Sequence, residues 1–182
     1  SRLIAAYLQK NNRRVVLIDS NKANVEKAKE LGLEALSANI YNADLSDNIE
    51  LSDMGYLLSM TGNDAINRYA MDKLGRSFGE NGSYRLVTPE ELKSKNTNNR
   101  DLFCPTHDYI DLMRVAQAFP SIQEVLAPSV DIYKEMIQLI GSNQDAIALF
   151  AKSPEGVITL IGNTNEITLE QNTTIAYIGR PM

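Results

Sequence analysis

The sequence predicts an α/β fold built on a parallel sheet over residues 1–93, followed by a small α+β module over 94–182. Three observations carry this. Over the first half, short continuous apolar runs alternate with amphipathic stretches, as when helices cover both faces of a sheet. A polar, turn-rich segment, Ser94 to Arg100, then interrupts the pattern. Beyond it the chain becomes β-rich towards its end. The composition suits such a fold: 182 residues, 43% hydrophobic and 23% charged, are enough for a real core and too apolar for disorder. A net charge of −5 argues against a generally basic nucleic-acid surface, and no nucleic-acid partner is expected. The single Cys cannot form an internal disulfide, which fits a reducing compartment. No apolar run approaches the roughly 20 residues of a membrane-spanning helix.

Taken in order, Leu3 to Leu8 is an apolar helical stretch with a polar exit at Gln9 to Arg14. Val15 to Asp19 is a buried strand ending in an acid. Asn21 to Leu31 places Val25, Ala28 and Leu31 at helical spacing, and Gly32 stops that helix. Leu33 to Leu36 is a short strand and Leu45 to Leu51 a short helix. Tyr56 to Met60 is a second buried strand. The turn Thr61-Gly62-Asn63-Asp64 leads into an amphipathic helix over Ala65 to Phe78. Tyr84 to Thr88 is a strand, and Thr88-Pro89-Glu90-Glu91 reads as a cap, a proline at the first helical position and acids near the positive end of the dipole. Helices follow over Asp108 to Phe119, ended by Pro120, and over Asp131 to Ile140, stopped by Gly141. Strands are expected at Ala146 to Phe150, Val157 to Ile161 and Thr174 to Ile178, in an antiparallel arrangement. The pattern opens on a helix, whereas a helix feeding a parallel strand ordinarily follows a strand. The first strand and its glycine-rich turn are therefore expected upstream of Ser1.

Two places offer binding chemistry. Asp19 ends the first strand. An acid about 20 residues beyond a glycine loop accepts hydrogen bonds from ribose hydroxyls in dinucleotide-binding units, and counting back from Asp19 reaches the start of the chain. The alternative is that Asp19 only caps the next helix. An acid there suits the ribose of NAD or AMP and repels the extra phosphate of NADP. Thr61, Gly62 and Asn63 also follow a strand, where ligands of open α/β sheets bind. Gly62 would let backbone approach a ligand. Alternatively, Asn63 or Asp64 simply caps the helix. Cys104 and His107 have metal-ligand spacing but no second pair, so no metal site is expected. No nucleophile-and-base set stands out, no catalytic residue is expected, and the chain is not read as an enzyme.

The succession Val15-Val16-Leu17-Ile18-Asp19, Gly32-Leu33-Glu34-Ala35, Ala38-Asn39-Ile40 and Gly55 through Asn67, with Thr-Gly-Asn-Asp between strand and helix, resembles the RCK domain. This regulator of potassium conductance is also called KTN, or the Trk-type NAD-binding N-terminal domain (TrkA-N). The resemblance covers about half the chain, up to about Leu92. The tail, from Asp145–Phe150 through Ala176–Pro181, looks like the cytoplasmic end of bacterial NhaP-like Na+/H+ or K+/H+ antiporters. The resemblance implies a Rossmann-like fold and a regulatory domain that senses an adenine nucleotide, NAD(H) or AMP, and gates ion flux through a transmembrane cation transporter. It places Asp19 at the ribose, Ser37, Ala38, Asn39 and Ile40 around the adenine, and Thr61, Gly62 and Asn63 on the pocket floor. It further implies a homodimer at the cytoplasmic face of the inner (plasma) membrane.

Two other readings compete: a fragment of an NAD-dependent oxidoreductase, and a structural interaction domain with a degenerate cleft. An oxidoreductase needs an acid/base residue beside the hydride path, and residues 101–182 offer a single His. Ile110, Met113, Ile132, Met136, Ile137, Leu139 and Ile140 exceed what a small β module can cover. Their faces are expected to pack on a second copy or on the transporter, the alternative being that they fold back on their own lobe.

Overall fold

The computed structural model describes residues 1–42, 54–75, 82–94, 101–103, 107–162 and 169–182. The expected helix at Leu45 to Leu51 and most of the polar 94–100 segment lie outside the described residues. The chain divides into two compact units, Ser1–Ser59 with Ala65–Ser83, and Met60–Asp64 with Tyr84–Met182.

The first unit opens with α1 (Arg2–Lys10), β1 (Val16–Asp19), α2 (Lys22–Glu30) and β2 (Glu34–Ser37). The two strands pair in parallel, Val16 opposite Glu34 through Asp19 opposite Ser37. Parallel partners need a crossover of a dozen or more residues, and α2 supplies it. Ala5, Ala28 and Leu33 form the buried cluster between helices and strands, with Val15, Leu17 and Ala35 packed on it. Ile18 points the other way by the two-residue period of a strand and is 37% exposed, so among the described residues β1 is not covered on both faces as its apolar run suggests. Asn21 caps α2 by accepting from the Ala23 N–H, and Gly32 takes φ +73° to reverse the chain after it. β3 (Leu57–Ser59) lies beside β4 (Ser83–Arg85), and the Leu57 N–H donates to the Gly82 carbonyl at 2.7 Å. α3 (Asp64–Leu74) buries Asn67, whose Oδ1 accepts from the Ser59 hydroxyl.

The second unit holds α4 (Pro89–Ser94), α5 (Tyr109–Ala118), β5 (Ile122–Ala127), α6 (Val130–Ser142), β6 (Ala146–Lys152), β7 (Ile158–Leu160) and β8 (Thr173–Gly179). The Thr88 cap forms as expected: Thr88 Oγ1 accepts from the Glu91 N–H and Glu91 Oε2 accepts from the Thr88 N–H. α5 starts on a second reciprocal cap, Asp108 with Asp111. The strands form one antiparallel sheet in the order β5-β8-β6-β7.

Three expectations change here. β5 was not anticipated: its centre, Gln123-Glu124, dilutes the apolar signal because β5 is an edge strand. Gly141 does not stop α6, which runs through it to Ser142. The apolar face of α6 is not left for another molecule. Ile132, Met136 and Ile137 pack with Ile140 on a core of Ala127, Tyr133, Ile175 and Tyr177, because β5 widens the sheet beyond the three strands foreseen. Ile110 and Met113 of α5 and Leu139 of α6 do remain exposed.

Candidate functional site

β1 and β2 end side by side, so Asp19 and Ser37 stand together at their carboxyl ends, where parallel sheets place ligands. The Asp19 carbonyl accepts from the Ala38 N–H at 3.1 Å, which carries the chain past β1 as it leaves β2. The half-buried Asp19 carboxylate accepts from the Asn21 N–H at 2.8 Å and from Asn24 Nδ2 at 2.9 Å. Asp19 therefore orders the start of α2. A carboxylate offers about four lone-pair sites, so these two bonds leave acceptor capacity for a pair of hydroxyls.

Asn39 and Ile40 follow in a tight turn. The Asn42 N–H donates to the Asn39 carbonyl, and Asn39 Oδ1 accepts from the Tyr41 N–H at 3.0 Å. Lys73 of α3 pins the turn by donating to the Ile40 carbonyl at 3.2 Å. The ring of Tyr41 lies 4.7 Å from that of Tyr69, over which Lys73 also sits. Sequence reasoning gave none of Tyr41, Tyr69 and Lys73 a role in the site. Tyr69 and Lys73 at i and i+4 on one helix were the only available signal.

Thr61, Gly62 and Asn63 belong to the second unit. Thr61 Oγ1 accepts from the Asn63 N–H at 3.2 Å and donates to the Asn63 carbonyl at 3.1 Å, a local turn that fixes both residues. Gly62 has a reason the sequence did not reveal. A Cβ there would meet Tyr109 Cε1 of α5 at 2.9 Å, so glycine admits the aromatic ring. Asp64, next in line, gives its carboxylate to Arg85 Nη1 at 2.7 Å. Arg85 is 3% exposed and also binds Glu91 through both terminal nitrogens at 2.9 Å, with Asp101 at 3.4 Å from Nε. One guanidinium thus gathers three carboxylates from three segments.

A separate polar cleft of about 280 Å³ is lined by His107, Asp111, Arg114 and Gln144. Burial pushes the His107 pKa below 6.5, with Asp111 opposing it and Arg114 adding to it. Arg114 donates to Asp145 at 2.8 Å and to the Gln144 carbonyl at 2.6 Å, and Asp145 holds its pKa above the ordinary value. Cys104 lies outside the described residues. Among the described residues no group of three acidic, His or Cys side chains could hold a metal ion, and no helix is long and apolar enough to cross a membrane.

The parallel β1–α2–β2 unit with an acid at its ligand-binding end defines an α/β, Rossmann-like nucleotide-fold domain. Residues 1–88 match the TrkA-N domain, which supports an RCK/KTN-type, NAD-binding regulatory domain of the kind found in potassium and cation transport systems. Such domains are regulatory rather than catalytic. No curated protein matches the chain.

Proposed function

We propose that the chain senses an adenine nucleotide and regulates a transmembrane monovalent cation transporter of the potassium or cation/proton antiporter kind. In this reading residues 1–93 form the nucleotide lobe and 94–182 pass its state to the transporter, at the cytoplasmic face of the membrane. Asp19 binds the ribose hydroxyls of NAD(H) or AMP, Ser37, Ala38, Asn39 and Ile40 border the base, and Thr61, Gly62 and Asn63 meet the remainder. The observation that carries the reading is the Asp19 carboxylate at the joined carboxyl ends of two parallel strands, with spare acceptor capacity. Two copies of the chain pair through the exposed apolar residues of α5, Ile110 and Met113.

Calorimetric titration with NADH, NADPH and AMP, on a chain that includes the strand and glycine-rich turn expected upstream of Ser1, tests the assignment. NADH or AMP binds more tightly than NADPH, whose 2′-phosphate meets the Asp19 carboxylate. Asp19→Ala weakens NADH by about tenfold, the worth of a charged hydrogen-bonding group. Equal affinity for NADPH removes the role given to Asp19, and no heat with any of the three removes the nucleotide reading.

A further inference from the structure

The turn proposed to meet the nucleotide belongs to the same compact unit as the C-terminal sheet. Two separate contacts tie it there. The first is the Tyr109 ring against Gly62, close enough that a Cβ at Gly62 would stand 2.9 Å from Cε1 and 3.1 Å from Cδ1. Tyr109 is the first residue of α5, and its N–H donates to the Val87 carbonyl at 3.3 Å. α5 packs on β8 and β6, and five residues along from Tyr109 it bonds through Arg114 to Asp145, at the entry to β6. The second tie is Asp64 to Arg85. Beyond Arg85 the backbone is continuous with the sheet: the Leu102 N–H donates to the Arg85 carbonyl at 2.8 Å, the Phe103 N–H to Ile161 at 3.1 Å, and the Ile161 N–H to Leu149 of β6 at 3.0 Å.

We infer that Tyr109 and Arg85 are positioning residues that couple the Thr61–Asn63 turn to α5 and β6. Displacement of the turn is thereby felt in the C-terminal sheet, and the arrangement of that sheet sets the geometry the turn offers. The inference rests on the nucleotide reading for its biological sense, but its physical content is independent of any ligand. The coupling is mechanical: the ring fills the place of the missing Cβ at Gly62, and the start of α5 that carries the ring is fixed by the reciprocal Asp108–Asp111 cap. Whatever shifts the backbone at Gly62 shifts the ring, and the reverse holds by thermodynamic reciprocity. The two ties reach β6 through different elements, α5 in one case and the 101–103 and 161 segments in the other.

Hydrogen exchange followed by mass spectrometry on the chain tests this without ligand. In Gly62→Ala the new methyl displaces the ring, and exchange over 109–118 and 146–152 accelerates by about tenfold, the response expected of a local opening. In a Tyr109→Ala background the same glycine substitution has no further effect on those segments. In a Tyr109→Phe background, which keeps the ring, the effect returns in full. Arg85→Lys, milder than removal of the cation, raises exchange over 60–66 and 146–152 together. The coupling is overturned if Gly62→Ala changes exchange at 60–66 alone, or if the Gly62 and Tyr109 effects simply add. Titration of the same variants with NADH or AMP reads the second half: Tyr109→Ala lowers affinity several-fold and Tyr109→Phe restores it. Absence of binding to the otherwise unsubstituted chain that carries the upstream strand and glycine-rich turn counts against the nucleotide reading, while the exchange result still decides the coupling.

Discussion

Replacing Arg85 by Met removes the cation from a cluster whose acids cannot all reach water. Asp101 is 1% and Glu91 8% exposed, while the Asp64 side chain is about one-third exposed. Asp64 therefore rehydrates at small cost, whereas Asp101 and Glu91 stay buried and lose the Arg85 guanidinium. Removing one partner of a buried ion pair costs about 3–5 kcal/mol, most of it from the charge left behind. For a chain of this length each kcal/mol moves the midpoint by about 2–4 °C. The expected fall in Tm is thus about 6–20 °C, read by circular dichroism or calorimetry at neutral pH. Arg85→Lys should fall between the two, because one ammonium cannot bind Glu91 in the two-pronged fashion of a guanidinium and still reach Asp64 and Asp101. Adding Asp101→Asn to Arg85→Met should recover part of the loss by deleting a buried charge. A drop of less than about 2 °C for Arg85→Met, below one kcal/mol on the same scale, would show that the cluster is hydrated and refute the reasoning.

Tyr133 is 5% exposed, burial pushes its pKa up to about 12, and among the described residues no partner reaches its hydroxyl. Tyr133→Phe should therefore raise stability by about 1 kcal/mol, seen as a higher Tm; a loss would mean the hydroxyl is bonded. Gly179 sits at φ +150°, where a Cβ would stand 2.5 Å from the Asp145 carbonyl oxygen and 2.7 Å from Ala146 Cα, both backbone. Gly179→Ala should separate β8 from the start of β6 and cost about 3 kcal/mol or more, and an unchanged denaturant midpoint would contradict that. The His107 pKa is lower in the fold than its ordinary 6.5 because the ring is buried. Its contribution to stability is then complete above pH 6.5 and is lost as pH falls through the folded value, since the unfolded chain takes up a proton that the folded chain resists. Melts from pH 7.5 to 5 should fall more steeply for the natural chain than for His107→Gln; parallel curves would show that His107 titrates normally.

The order of helices and strands was legible because each depends on neighbours in sequence. Val25 and Ala28 lie on one face of α2, Asn21 and Thr88 cap helices through bonds spanning two or three residues, and the runs at 15–19, 146–150 and 174–178 are too short and too apolar to be anything but strands. The place of Asp19 at the end of its strand was legible for the same reason, whereas Ser37 entered only through the family resemblance and it is the parallel pairing that sets the two side by side. Other features arise only when distant segments meet. β5 is a strand because β8 offers it a hydrogen-bonding edge, while its own Gln123-Glu124 says little. The apolar face of α6 is covered by the sheet that β5 completes, so its excess over a three-stranded module was real but was no evidence of a partner. Gly62 read from sequence as a glycine that could be kept small for a ligand, and what the fold shows beside it is Tyr109, 47 residues away in sequence. Arg85 looked like an ordinary strand residue, and nothing local shows that Asp64, Glu91 and Asp101 converge on it. Periodicity and capping are local free energies that a sequence states directly, whereas the burial of a charge or the need for a missing methyl depends on which surfaces the fold brings into contact.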